Sequence, residues 1–259
     1  MGYKDILVYL DPTLASQTRL AIAMQIAVVE GAYVTGVDAS TDEAFVGDWR
    51  EAAMNIESDF QAALQSNLVS GEFHVAGPRG MLAPEDSAIP ADLVIAPSPS
   101  PQARRLIHPD LPDAAIKAAG APVLVVPTDW PRGDWGKNIV IAWNGDREAR
   151  RAVRDALPIL KRAEKVTIFV FSRATSGLRS AADRLVAHLA RHGVTAEVSD
   201  WTNTGDVTAV EALFASLDTQ TADLLVAGGF GHSRLFERLF GSVSLDLLRQ
   251  PVLPVLMSH

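Results

Sequence analysis

Along the second half of the chain, short apolar runs recur at 139–143, 165–171, 194–198, 223–227 and 252–257. Each is brief, rich in β-formers and bounded by turn residues, which predicts five buried strands. The segments between them carry helical stripes: Val153, Ala156, Leu157 and Leu160, then Ala182, Leu185, Val186 and Leu189, then Val210, Leu213, Phe214 and Leu217. Strands that are apolar almost throughout, alternating with amphipathic helices, predict a mostly parallel sheet covered on both faces. Pro158 lies inside the first stripe and is expected to kink that helix or end it early. The first half is less regular. It offers an opening strand, a helix containing Leu20, Met24, Ala27 and Val28, and a helical segment near 50–67. The stretch from Gly71 to Pro90 is rich in proline and glycine and is expected to be a shortened or irregular connection.

The two halves are related. Ile6–Asp11 matches Ile139–Asn144, Ala91–Ala96 matches Ala222–Ala227, and Pro122–Val125 matches Pro254–Met257, at offsets of 133, 131 and 132. Three anchors in the same order indicate a duplicated unit. A length of 259 residues also suits two domains of ordinary size. The segment from Pro127 to Gly133 has the prolines and glycine of a boundary, so the domains are expected at 1–131 and 132–259.

Composition narrows the chemistry. Hydrophobic residues make up 48% and charged residues 21%, as in a folded globular chain. There is no cysteine, which excludes disulfides, thiolate metal sites and cysteine nucleophiles. No apolar run approaches a membrane span and the start lacks a secretory pattern, so a cytoplasmic protein without a membrane partner is expected. The net charge of −8 offers no general attraction to nucleic acid. That charge is unevenly placed: residues 1–131 hold 7 Lys and Arg against 17 Asp and Glu, and residues 132–259 hold 16 against 14. A small anion is better received by the second half.

The fourth apolar run of that half leads into a glycine pattern, G-x2-G-x9-G-[ST], formed by Gly228, Gly231, Gly241 and Ser242. Glycines after a strand let backbone N–H groups approach a ligand, and the following helix start favours phosphate. Ser242 and Ser244 add hydroxyls, and His232 and Arg234 inside the loop are candidate phosphate contacts. Taken locally, the same glycines suit a tight turn and close packing, with Ser242 a plain N-cap.

With these residues in view, the segment 137–259 resembles the universal stress proteins along its length. The resemblance rests on Trp143-Asn144-Gly145, Gly205-Asp206, Ala222–Val226, the glycine pattern and the closing Leu253–Met257. The N-terminal half resembles a degenerate copy, which makes the chain similar to a tandem member of that family. The resemblance implies two tandem Rossmann-like α/β domains of the adenine nucleotide alpha hydrolase-like kind. Each would hold a five-stranded, mostly parallel sheet in the order 3-2-1-4-5. For the nucleotide-binding branch it implies ATP, with or without Mg2+, at Ala142, Asn144, Ala227, Gly228, Gly231, Gly241, Ser242, Val243 and Ser244. The family's acidic residue after strand one falls on Asn144, which can accept a hydrogen bond but cannot be an anion. The strand order places Asn144 and Gly228 on two sides of one crevice at the switch point of the sheet. It also implies an internal pseudo-dimer through 123–127 and 254–257, with association of whole chains left open.

In the first half, Asp11 keeps the acidic position, but Pro97-Ser98-Pro99-Ser100-Pro101 replaces the glycines. Prolines lack the N–H donors, so no ATP is expected there and Asp11 reads as a helix-start residue. Arg147, Arg150, Arg151 and Arg154, interleaved with acids, read as a solvated helix face. His188 and His192 are four apart, as metal ligands can be, yet lack the Glu of a zinc helix and read as surface residues with no metal site expected. There is neither a G-x-S-x-G elbow nor a G-x4-G-K-[ST] loop. The expected function is a stress-response protein that binds ATP as a regulator in its C-terminal domain, at most with slow hydrolysis or autophosphorylation on Ser242 or Ser244. The alternatives are a scaffold that binds no nucleotide, or an enzyme of slow ATP hydrolysis or phosphoryl transfer.

Overall fold

The computed structural model of the chain describes residues 2–41, 44, 46–47, 50–75, 90–98, 106, 120–131, 133, 135–172, 177–202, 207–228 and 251–258. The chain divides into two compact units, Met1–Arg132 with Leu248–Val252, and Gly133–Leu247 with Leu253–His259.

In the first unit β1 (Asp5–Leu10), α1 (Leu14–Glu30), β2 (Tyr33–Asp38), α2 (Arg50–Asn67), β3 (Gly71–Val75), β4 (Leu93–Pro97) and β5 (Val123–Val126) follow one another. The strands lie in the order β3-β2-β1-β4-β5, all parallel. The second unit repeats the plan with β6 (Asn138–Ala142), α3 (Arg147–Leu160), β7 (Lys165–Ser172), α4 (Leu178–Arg191), β8 (Glu197–Thr202), α5 (Ala209–Thr219), β9 (Leu224–Gly228) and β10 (Val255–Ser258). Its order is β8-β7-β6-β9-β10, again parallel. This is the α/β architecture expected from the alternating pattern.

Burial follows position in the sheet. Every residue of β4, β5, β9 and β10 is buried, whereas the outer strands β3 and β8 alternate between half-buried and exposed. Central strands need apolar side chains on both faces and edge strands do not. That difference explains where the sequence pattern misplaces strands. The edge strand β8 is polar, so the apolar run at 194–198 points too early: Val194 is buried but closes the turn after α4, its N–H donating to Leu189 O at 3.0 Å. Pro251 and Pro254 supply no N–H for a ladder, and β10 begins only at Val255. Gly71–Val75, expected to be irregular, is the strand β3, with Phe73 5.6 Å from Phe60 of α2. Val28 is 55% exposed rather than part of the buried stripe of α1. α3 runs two residues past Pro158 before it stops.

One tie is repeated in both units. The Asp223 carboxylate accepts the N–H groups of Lys137 at 2.9 Å and Asn138 at 3.0 Å, while its own N–H donates to Asn138 O. Asp92 does the same for Lys4 and Asp5 at 2.6 and 3.1 Å, and donates to Asp5 O. Each aspartate pins the start of the first strand of its unit to the start of the fourth, which fixes the register of the two strands whose far ends form the crevice. Burial raises the Asp223 carboxyl pKa, and the backbone N–H groups of Lys137, Asn138 and Gly136 work against that rise. Asp223→Ala strips two backbone donors of their acceptor, and urea denaturation should show a loss of about 1–3 kcal/mol. Asp92→Ala, at an exposed position, should cost less.

Candidate functional site

Ile139, Val140 and Ile141 of β6 pair with Leu224, Leu225 and Val226 of β9. Continued by two residues, that register sets Ala142 abreast of Ala227 and Trp143 beside Gly228. Two segments more than eighty residues apart therefore end together at the carboxyl edge of the sheet, where the winding reverses direction. Ala142 and Ala227 are buried last-turn residues of their strands, and Asn144 is half-buried just beyond.

Gly228 is fixed by close approach. A side chain there would place its Cβ 2.7 Å from the Ala149 N and 2.9 Å from the Glu148 carbonyl carbon. The missing Cβ lets the first turn of α3 press against the end of β9, so a helix start and two strand ends converge. Trp143 is buried beside it, its N–H donating to Phe169 O at 2.9 Å, and its indole Nε1–H meets no acceptor among the described residues.

Asn144 is latched to Asp146. Its Oδ1 accepts the Asp146 N–H at 3.1 Å, and its Nδ2 donates to Asp146 Oδ2 at 3.1 Å. Gly145, at a φ of 79°, makes the turn between them, and Arg150 clamps the Gly145 carbonyl with Nε and Nη2 at 3.0 and 2.7 Å. Asp146 is the N-cap of α3 but makes no side-chain cap; its Oδ2 accepts from Asn144 instead. An aspartate at 144 would set two carboxylates about 3 Å apart, so asparagine there and aspartate at 146 belong together. Of the four arginines on this helix, Arg150 serves the turn, Arg147 pairs with Glu148 at 3.3 Å, and Arg151 pairs with Asp155 at 3.6 Å. Gly231, His232, Arg234, Gly241, Ser242, Val243 and Ser244 lie outside the described residues.

The same strand end in the first unit is built differently. β1 and β4 pair from Ile6 with Leu93 to Val8 with Ile95, which carries Asp11 beside Ser98. Asp11 does sit at a helix start, its Oδ1 accepting the Thr13 N–H at 2.8 Å, but it is also one half of a buried ion pair with Arg19. Arg19 is 1% exposed and donates through Nε to Tyr9 O at 2.9 Å. Asp38, at the end of β2, is buried as well; burial raises its carboxyl pKa, hydrogen bonding from Ser40 opposes the rise, and the charge of Asp11 adds to it. At the corresponding offset the second unit has Ala152 and Phe171 in place of Arg19 and Asp38. Arg19 escaped the sequence reading because an arginine in a helix ordinarily marks a solvated face. A cleft of about 250 Å³ lies beside this end, bounded by Asp11, Thr13 and Gln17 on one side and Asn55, Ile56 and Asp59 on the other.

No family model and no curated protein matches the chain. Solved structures do. A universal stress protein from Archaeoglobus fulgidus DSM 4304 superposes with a TM-score of 0.72 over 98% of this chain and 97% of its own, at 13% identity. The fold is that of a universal stress protein. A functionally unknown protein from Pseudomonas aeruginosa PAO1 superposes with a TM-score of 0.61 at 18% identity, with 99% of this chain and 92% of its own covered. Identities this low carry the fold and not the ligand.

Asn144→Asp is expected to destabilise the chain by about 1–2 kcal/mol at neutral pH through repulsion with Asp146. The two carboxylates of the variant repel only when both are ionised, so the loss should be absent at low pH and grow as pH rises through the carboxylate range. Thermal unfolding between pH 4 and 8 checks this, and adding Asp146→Ser in the same chain should restore the midpoint.

Proposed function

We propose that this chain is a stress-response protein that binds ATP in its second unit, as a regulatory ligand and not as a substrate for fast turnover. The observation that carries the reading is the convergence at Gly228: two parallel strand ends and the first turn of α3 meet where no side chain intervenes. The buried Trp143 N–H at that end is a donor without a protein acceptor among the described residues, and such a group costs about 1–3 kcal/mol if left unpaired. The glycines and serines that follow in sequence, from Gly231 to Ser244, are the expected phosphate cradle. Asp146 supplies the acidic group that residue 144 lacks. The fold shared with a universal stress protein supports the stress role. The first unit is proposed to bind no nucleotide, since Asp11 is committed to Arg19 and Thr13.

A second reading has its own support. Gly228 is accounted for by packing against α3, and Asn144 by its latch to Asp146, without any ligand. On that reading the chain is a scaffold.

Calorimetric titration of the full chain with ATP separates the two. The nucleotide reading expects a single saturable site with a dissociation constant below about 1 mM, weakened at least about tenfold by Gly231→Val. Absence of saturable binding to the wild type in that range supports the scaffold.

A further inference from the structure

We propose that the C-terminal end of α4 holds a divalent transition-metal ion between the imidazoles of His188 and His192. The two residues are four apart, the spacing at which side chains on one helix face meet. Their rings lie 4.7 Å apart centre to centre, edge to face at 63°. Both are exposed, so an ion bridging two ring nitrogens keeps its other positions open to water. Imidazole nitrogen suits Zn2+, Ni2+ and Cu2+, whereas Mg2+ and Ca2+ take oxygen ligands.

The backbone that carries the pair is fixed. α4 runs to Arg191, and His192 is its C-cap, with its N–H directed to Ala190 O and Leu189 O. The next turn is closed by the Gly193 N–H on Ala190 O and the Val194 N–H on Leu189 O. The negative end of the helix dipole lies here and favours a cation. Arg191 repels positive charge at His188, which disfavours ions held by electrostatics and leaves those held by nitrogen coordination. Among the described residues no third histidine or carboxylate joins the pair, so the ion is exchangeable and differs from a closed structural zinc.

The test is calorimetric titration of the full chain with ZnCl2 and, separately, NiCl2. The expected result is a saturable site with a dissociation constant of roughly 1–100 µM, weakened at least about tenfold by either His188→Gln or His192→Gln. His74→Gln, an exposed histidine beside Glu72 in the first unit, should leave it unchanged, and both helix substitutions should keep the wild-type circular dichroism. Metal binding that survives both substitutions, or no saturable binding below about 1 mM, overturns the proposal.

Discussion

The parallel pairing of β6 with β9 is the constraint on which the candidate site depends. Neither Ala142, Trp143 and Asn144 nor Ala227 and Gly228 would form a site alone, because each is the last part of a strand facing outward from the sheet. Held in register by apolar side chains buried on both faces, and by Asp223 at the opposite end, the two strands stop side by side. Gly228 then decides how near the helix can come: one methyl group at that Cβ would fall inside the van der Waals distance of the α3 backbone. The missing Cβ is what lets the start of α3 come that close.

The two units show what a duplicated fold keeps and what it releases. Both keep five parallel strands in the same order, and both keep the aspartate that ties the starts of the first and fourth strands together. They part at the carboxyl ends. The first unit fills that region with buried charge, Asp11 against Arg19 with Asp38 near by, and follows β4 with proline and serine. The second has Asn144, Ala152 and Phe171 at those offsets, and its β9 ends in a glycine. A buried ion pair holds its members in place, since removing one partner strands the other's charge.

Much of this was legible in the sequence because it rests on apolar periodicity. The central strands follow from apolar runs such as Ile139–Ala142 and Leu224–Ala227, and the helices among the described residues from the apolar stripes between such runs. What escaped was set by partners distant in the chain. β3 is an edge strand with no buried residue, so the prolines and glycines between Gly71 and Pro90 dominate the pattern there. Val194 is apolar because it is buried, though it lies in a turn. Arg19 and Asp38 declared nothing in sequence, since a charged residue becomes buried only when a counter-charge or hydrogen bond from another element meets it. Asn144 looked like a simple loss of an acid until Asp146 was found at the other end of both its hydrogen bonds.

The central proposal is that the strand end of the second unit takes a nucleotide and the charged strand end of the first does not. Amide hydrogen exchange on the full chain, with and without ATP, reads both ends in one experiment. The account predicts slower exchange on ATP addition at Trp143–Asp146 and Gly228, with no change at Asp11–Thr13. Protection at the first unit's strand end, or at neither, would contradict it.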